Sequence, residues 1–220
     1  MSEWSETIDA VRSTSDKEAR LENLRFSRWV QLRNLNLIGV HMSPSDFASQ
    51  SRSIADVVSE HIQAEIDLDL DKTMATMADN PHLTIVPTLA GAVGKDLVRQ
   101  WYADHFIGRF LPPDGEIINI SQTVSDTQVV NEDVVRFTHT EVLDWILPGV
   151  APTQMPVEIG MVVIVGVVDG KVTHEHIYWD QASLLAQIGL LDPSGLPIAP
   201  DHAAKLLDPS LPNLVYPTSS

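Results

Sequence analysis

The chain has 220 residues, no cysteine and a formal net charge of −16, from 30 acidic and 14 basic side chains. The absence of cysteine excludes disulfides, thiolate metal sites and cysteine nucleophiles. The acidic balance argues against nucleic acid and anionic membranes as partners, because phosphate binding requires clustered positive charge. No apolar run has the length of a bilayer span, and the first residues lack the apolar segment of a secretory signal. We therefore expect a cytoplasmic protein.

The first half of the chain is predicted to be mainly helical. Residues 1–52 are rich in charge and carry part of an apolar stripe, which indicates a helical N-terminal extension. Apolar side chains at helical spacing predict a helix over 53–68. A short helix is expected over 72–77 and a third helix over 94–107, with a strand over 82–87 between them.

The second half is rich in Val, Ile and Thr, which favours strands. Four strands are predicted, over 116–124, 128–146, 157–168 and 171–179. The Asp169-Gly170 pair between the last two is typical of a hairpin. A helix over 181–188 follows, and residues 193–220 form a Pro-rich C-terminal tail. Helices followed by a curved antiparallel sheet indicate an α+β domain.

Three segments together resemble a known family. They are HIQAEIDLDLDKTMATMADNP, THTEVLDWILPGVAPT and DGKVTHEHIYWDQASLLAQIGLLDP. They are similar to the SnoaL-like branch of the NTF2-like superfamily, over a domain that we place at residues 53–192. The resemblance implies a cone in which a strongly bent antiparallel sheet wraps around helices and leaves a deep apolar pocket. Polyketide cyclases, ketosteroid isomerase, scytalone dehydratase and limonene epoxide hydrolase share this fold. It also implies a homodimer formed through the outer sheet face.

The predicted proton carriers lie on the last strands. Side chains alternate along a strand, so His174, His176, Tyr178 and Asp180 are expected on one face. The apolar neighbours of His139 direct that side chain inward on the adjacent strand. We therefore expect Asp180, His139 and His176 to converge in the pocket and move a proton beside a carbonyl. The alternative for Asp180 is an N-cap of the following helix, with no catalytic role.

Other polar and aromatic residues are predicted to contact substrate: Tyr178, Glu141, His61, Glu65, Tyr102 and Trp101. His61 and Glu65 are four residues apart, so they share one face of a helix. Tyr178 could donate a hydrogen bond to a developing enolate oxygen. Glu141 could be a second acid or form a salt bridge at the sheet edge. Glu175 is expected to pair across the sheet.

The interpretation that these features favour is a cofactor-independent acid–base enzyme acting on a hydrophobic, carbonyl-bearing small molecule. Cyclisation, isomerisation and dehydration remain open. One alternative is a non-catalytic small-molecule-binding or dimerisation module, and another is an epoxide or lactone hydrolase with an activated water. Three histidines near the last strands could suit zinc, but there is no HExxH helix and the resemblance implies no metal. Motifs for dinucleotides, nucleoside triphosphates and serine hydrolases are also missing.

Overall fold

The computed structural model describes residues 53–213. The helical extension predicted for residues 1–52 lies outside these residues, as does the end of the chain after residue 213. The described elements, in chain order, are α1 (Ile54–Ile66), α2 (Leu70–Thr76), β1 (Met77–Ile85), β2 (Ala90–Val93), α3 (Lys95–Trp101), a π-helical turn (Tyr102–Phe106), β3 (Glu116–Val124), β4 (Gln128–Thr138), β5 (Pro156–Val168), β6 (Lys171–Trp179), α4 (Gln181–Gln187) and α5 (His202–Leu207). None of these described helices has both the length and the apolar character of a bilayer span.

The six strands form one sheet in the order β2-β1-β6-β5-β4-β3. Strands β3 to β6 follow one another as antiparallel neighbours, and β2 pairs antiparallel with β1. Strand β6 lies between β5 and β1 and runs parallel to β1, so the last strand joins the β3–β5 part of the sheet to the β1–β2 hairpin. Helix α1 packs against β4, β5 and β6. The α+β prediction is confirmed, with a mixed sheet in place of the wholly antiparallel one that was expected.

Helix α1 begins with a reciprocal cap. The Ser53 hydroxyl accepts a hydrogen bond from the Asp56 backbone N–H, and the Asp56 carboxylate accepts one from the Ser53 backbone N–H. This arrangement satisfies two N–H groups that have no partner inside the helix. A cap of this kind stabilises a helix by about 1 kcal/mol. The buried face of α1 carries Val57, Val58 and Ala64, which fixes how the helix lies on the sheet.

Strand β4 ends at Thr138 rather than at the predicted residue 146. The chain then leaves the ladder and returns to β5, and the His139 backbone N–H donates to the Met155 carbonyl at 2.9 Å. The apolar run that suggested a longer strand fills the core from this loop. Trp145, which is fully buried, lies edge-on to Trp179 at 5.8 Å between ring centroids. The apolar composition of residues 139–146 thus predicted correctly that this segment is buried, but predicted wrongly that it is a strand.

Strand β6 contains a register shift that reverses its faces. Val172 pairs with Val167 whereas His174 pairs with Gly166, so Thr173 is an extra residue in the ladder. The inner, buried face beyond this bulge carries Glu175, Ile177 and Trp179. The outer face carries His174, His176 and Tyr178. The prediction that His176 and Tyr178 face the pocket is therefore wrong, because strict alternation does not survive a bulge.

The described part of the C-terminal tail is tied to β5. Beyond the last pair between β5 and β6, the backbone of β5 has a free edge. The Gln187 amide accepts from the Glu158 N–H at 2.7 Å and donates to its carbonyl at 2.8 Å. Nε2 of His202, on α5, accepts from the Gly160 N–H at 3.1 Å. Side chains from α4 and α5 thus supply the hydrogen bonds that a further strand would have made.

Candidate active site

A buried polar cluster lies between α1 and the inner face of β6. It consists of His61 and Glu65 from α1, Tyr102 from the π-helical turn and Glu175 from β6, and we call it the His61 cluster. His61 Nε2 lies 3.0 Å from Glu175 Oε1 and 3.3 Å from Glu65 Oε1. The Tyr102 hydroxyl donates to Glu175 Oε1 at 2.6 Å. Four titratable groups therefore meet within hydrogen-bonding distance in an otherwise apolar interior.

The hydrogen bonds around His61 determine its protonation. The Thr76 hydroxyl donates to the Thr73 carbonyl at 2.6 Å, so it accepts from Nδ1–H of His61 at 2.6 Å. The other ring nitrogen, Nε2, faces a carboxylate oxygen of Glu175 and one of Glu65. The only proton of the Tyr102 hydroxyl is already given to Glu175. Both ring nitrogens are thus placed to donate, which is the imidazolium form.

Electrostatics agrees with this protonation. Burial by itself would lower the pKa of His61, but the carboxylates of Glu65 and Glu175 outweigh it and raise the pKa to about 10. Burial raises the pKa of Glu65. Burial would also raise the pKa of Glu175, but the charge and hydrogen bond of His61, with the Tyr102 hydroxyl, lower it. The pKa of Tyr102 is raised well above its ordinary value by burial and by the two carboxylates.

Glu65 differs from the other members of the cluster in its access and its bonding. Its side chain is 14 % exposed, whereas those of His61 and Glu175 are 0 % and 7 % exposed. Its Oε1 atom is buried and has no hydrogen-bond partner among the described residues, although His61 Nε2 lies 3.3 Å away. The attraction between this oxygen and the His61 imidazolium is therefore an ion pair without the geometry of a hydrogen bond. Glu65 is therefore the member best placed to exchange a proton with a bound molecule.

The cluster also contains a possible metal-ligand set. His61, Glu65 and Glu175 each offer one ligand atom, and these three atoms lie within 4.8 Å of one another. Among the described residues, no other group of three or more His, Asp or Glu side chains brings its ligand atoms this close together. A metal ion needs a lone pair on His61 Nε2, so binding would require release of the proton from that atom. It would also compete with Tyr102 and His61 for Glu175 Oε1. The three side chains are thus chemically suited to a divalent cation, but protons on His61 Nε2 and on the Tyr102 hydroxyl already occupy the space between them.

Three residues predicted as substrate contacts come together in this region. His61, Glu65 and Tyr102 are members of the cluster, and Trp101 packs in the core with its ring 5.6 Å from that of Tyr102. Their contact with substrate stays a prediction. Glu175 is the member that the sequence reasoning missed, because it was expected to pair across the sheet. Its parity with two large apolar neighbours, Ile177 and Trp179, is the signal that could have placed it inside.

Asp180 caps the N-terminus of α4. Its carboxylate accepts from the backbone N–H groups of Ala182 at 2.9 Å and Ser183 at 3.2 Å, and from the Ser183 hydroxyl at 2.7 Å. Burial would raise the pKa of Asp180, but the hydrogen bonds from Ser183 and Ala182 lower it. A carboxylate with these three donors is a poor proton acceptor. The capping alternative, rather than the catalytic one, matches the geometry.

His139 and His176 lie apart from Asp180 and from each other. His139 Nδ1 contacts the Thr153 hydroxyl at 3.1 Å, in the loop just before β5. His176 lies on the outer sheet face opposite Ile164 of β5, nine residues along the chain from Met155, whose carbonyl accepts from the His139 N–H. That separation corresponds to about 30 Å of extended strand. The predicted convergence of the three proton carriers is therefore wrong.

Two further predicted contacts also lie away from the cluster. Tyr178 is 40 % exposed on the outer face of β6, opposite to Glu175. Glu141 belongs to the loop after β4 and lines a surface pocket of about 230 Å³. The other lining residues are Asp104, His105, Arg109, Val142 and Asp144. This pocket contains no member of the His61 cluster.

Comparison with known proteins identifies the fold. No protein-family model matches the sequence, and no curated protein matches it. A solved "putative SnoaL-like polyketide cyclase" from Jannaschia sp. CCS1 is 18 % identical with a TM-score of 0.50, over 66 % of this chain and all of that one. IdmH, a "putative polyketide cyclase" from Streptomyces antibioticus, is 20 % identical with a TM-score of 0.48, over 63 % and 99 %. An NTF2-like protein of unknown function from Burkholderia pseudomallei K96243 is 14 % identical with a TM-score of 0.46, over 63 % and 99 %.

The chain thus has an NTF2-like α+β fold, and SnoaL-like polyketide cyclases are among its structural neighbours, as the resemblance of the sequence implied. At 18 % identity this likeness concerns the fold alone. The same fold supports several reactions and also proteins without a known reaction, so the chemistry has to be argued from the site.

Proposed function

We propose that the protein is an acid–base enzyme acting on a hydrophobic, carbonyl-bearing small molecule, with Glu65 as the group that exchanges a proton with substrate. The observation that carries the proposal is the His61 cluster itself, in which His61 bridges two carboxyl groups inside the core. Titratable groups in apolar surroundings are expensive for stability unless they are paired. Such clusters are a recurrent feature of catalytic sites.

Burial raises the pKa of Glu65, which makes its carboxylate a stronger base than an exposed one. A general acid or base works best when its pKa lies near the working pH, and burial moves the pKa of Glu65 upward from the ordinary carboxyl range. The His61 imidazolium, 3.3 Å away, stabilises the ionised form of Glu65. Glu175 holds the imidazolium in place from the other side at 3.0 Å, and Tyr102 fixes Glu175 through its hydroxyl. His61, Glu175 and Tyr102 therefore act as positioning residues.

The proton steps follow from these roles. Ionised Glu65 takes a proton from the carbon beside the carbonyl, and the electrons of the broken C–H bond form the C=C bond of an enolate. The protonated Glu65 then returns the proton to a different carbon, or to a leaving hydroxyl in a dehydration. The negative charge passes from the Glu65 carboxylate to the enolate oxygen, so the total charge of the site, including the fixed imidazolium of His61, stays the same.

The surroundings support an apolar substrate. On the inner sheet face, the residue paired with Glu175 is Val165, which in turn pairs with Val129, and both are buried. Ile177 continues the same face of β6. A molecule that reaches Glu65 must therefore leave water and contact aliphatic side chains, which favours a hydrophobic compound with few polar groups.

The test is hydrogen exchange catalysed at carbon. The protein is incubated in D₂O with a panel of hydrophobic ketones, and loss of the protons beside the carbonyl is followed by NMR. We expect the wild type to accelerate exchange for at least one ketone and Glu65→Gln to abolish the acceleration while its circular dichroism stays native. The matched control is Glu60→Gln, five residues earlier in α1 and so on a different face of the helix.

Two results would contradict the proposal. Acceleration retained in Glu65→Gln would remove Glu65 from the role of proton carrier. Ketone binding without any exchange in the wild type, seen as shifted ligand resonances alone, would favour the non-catalytic binding module. An epoxide or lactone hydrolase would instead incorporate ¹⁸O from labelled water into its product, so the same panel with those compounds separates the third reading.

A further inference from the structure

Three histidines meet on the outer face of the sheet, on the side away from the His61 cluster. His82 lies on β1, and His174 and His176 lie on the parallel strand β6, where His82 is directly opposite His174. The three ring centroids are 4.7 to 5.2 Å apart. We call this group the outer histidine trio. It has no part in the proposed acid–base reaction.

Two nitrogens of the trio have the spacing of ligands on one metal ion. His82 Nε2 lies 3.1 Å from His176 Nε2, with the ring centroids 5.2 Å apart. In a tetrahedral site with Zn–N of about 2.0–2.1 Å, two ligand nitrogens lie about 3.3 Å apart, and their ring centroids about 5 Å. A small change in side-chain torsion would therefore turn the pair from a hydrogen bond into a chelate.

His174 holds His82 in this position. Its ring is stacked on that of His82, with planes 10° apart and centroids at 5.1 Å. The ring fits against the neighbouring strand because residue 166 is glycine: a Cβ at Gly166 would lie 2.0 Å from Cε1 of His174. Stacking on His174 restricts the rotamers of His82, which lowers the entropy cost of binding a ligand.

The chemistry of the trio suits a transition metal as well. Neutral imidazole is the form that binds metal, and imidazole nitrogen suits zinc, copper and nickel. The chain's net charge of −16 favours cations in general.

We propose that His82 and His176 chelate one divalent transition-metal ion through their Nε2 atoms, with His174 as a positioning residue and water in the remaining coordination positions. The site is independent of the proposed catalytic chemistry, because its residues lie on the opposite face of β6 from Glu175.

The test is isothermal titration of Zn²⁺ into untagged full-length protein that has been stripped with chelator and dialysed. We expect one Zn²⁺ per chain for the wild type. His82→Ala and His176→Ala should each weaken binding at least about tenfold, because either change leaves a single imidazole. His174→Ala should weaken it less. His105→Ala, which removes a half-exposed histidine elsewhere, is the matched control and should bind as the wild type does.

The same titration separates the trio from the His61 cluster, which is the competing metal-ligand set. Glu65→Gln should leave Zn²⁺ binding unchanged, with native circular dichroism in every variant. If Glu65→Gln removes binding while His176→Ala retains it, the metal belongs to the buried cluster and the proposal is overturned. It is equally overturned if the wild type binds no Zn²⁺ at 0.1 mM protein, or binds it no better than His82→Ala.

Discussion

Raising the pH should destabilise the fold through His61. The pKa of this residue is about 10 in the folded protein, because two carboxylates hold the imidazolium, and about 6.5 when the chain is unfolded. A group with a raised pKa in the folded state contributes its full stabilisation below pH 6.5, and the contribution is lost as the pH rises through 10. In between, the folded state binds a proton that the unfolded state does not hold.

The magnitude follows from this difference. Each pH unit in that window lowers the free energy of unfolding by about 1.4 kcal/mol. Between pH 6.5 and 9 the fall is therefore roughly 3 kcal/mol, a large part of the stability of a typical domain. The raised pKa of Glu65 acts in the same direction, from about pH 4.5 upward. Stopping at pH 9 avoids the titration of exposed lysines and tyrosines in the unfolded chain.

Two measurements check this prediction. Urea unfolding at pH 6.5, 7.5, 8.5 and 9 gives the slope of the free energy of unfolding, and NMR of the imidazole Cε1–H resonances follows protonation directly. The resonance that disappears in His61→Gln should keep its imidazolium shift up to pH 9. His105→Gln is the matched control and should leave the slope unchanged. A flat stability profile in the wild type, or a His61 resonance that titrates near pH 6.5, would refute the reasoning about the cluster.

Three further substitutions test the packing. Asp180→Ala removes the three hydrogen bonds of the α4 cap and should cost about 1 kcal/mol in urea unfolding; an unchanged midpoint would contradict the capping role. Gly166→Ala places a methyl group against His174 and should destabilise by about 1–3 kcal/mol. The thermal midpoint should recover in Gly166→Ala/His174→Ala, and no recovery would mean that the clash is elsewhere. Tyr102→Phe takes a donor from Glu175 and should cost about 1–3 kcal/mol in urea unfolding; a variant as stable as the wild type would show that the hydroxyl is dispensable.

Local patterns predicted most of the described elements. The helix expected over 53–68 is α1, because its apolar spacing and its cap lie within one short segment and agree with each other. The strand expected over 171–179 has those bounds, because the Asp169-Gly170 turn precedes it and a capped helix follows. Local patterns could not predict where β4 ends. The apolar residues after Thr138 are needed in the core, and burial of a loop and burial of a strand select the same side chains.

The candidate site depended on contacts that are distant in sequence. His61 and Glu65 could be recognised as a pair, because both positions belong to one helix turn. Their partner Glu175 is 114 residues from His61, and the bulge at Thr173 decides which face of β6 it occupies. The sequence reasoning counted alternate residues from Val172 without the bulge. It therefore assigned every residue after Thr173 to the wrong face of β6. The error placed His176 and Tyr178 on the pocket side and Glu175 on the opposite face.

The composition of the two faces of β6 nevertheless contained the answer. Glu175 shares its parity with Ile177 and Trp179, two large apolar residues, whereas His176 shares its parity with His174 and with the half-exposed Tyr178. Burial of Ile177 and Trp179 therefore forces the glutamate inside, where an unpaired carboxylate would cost several kcal/mol. A buried glutamate needs a cation, and the polar pair on the apolar face of α1 includes a histidine. The joint requirement of these two elements, rather than the alternation of either one, is what predicts the His61 cluster.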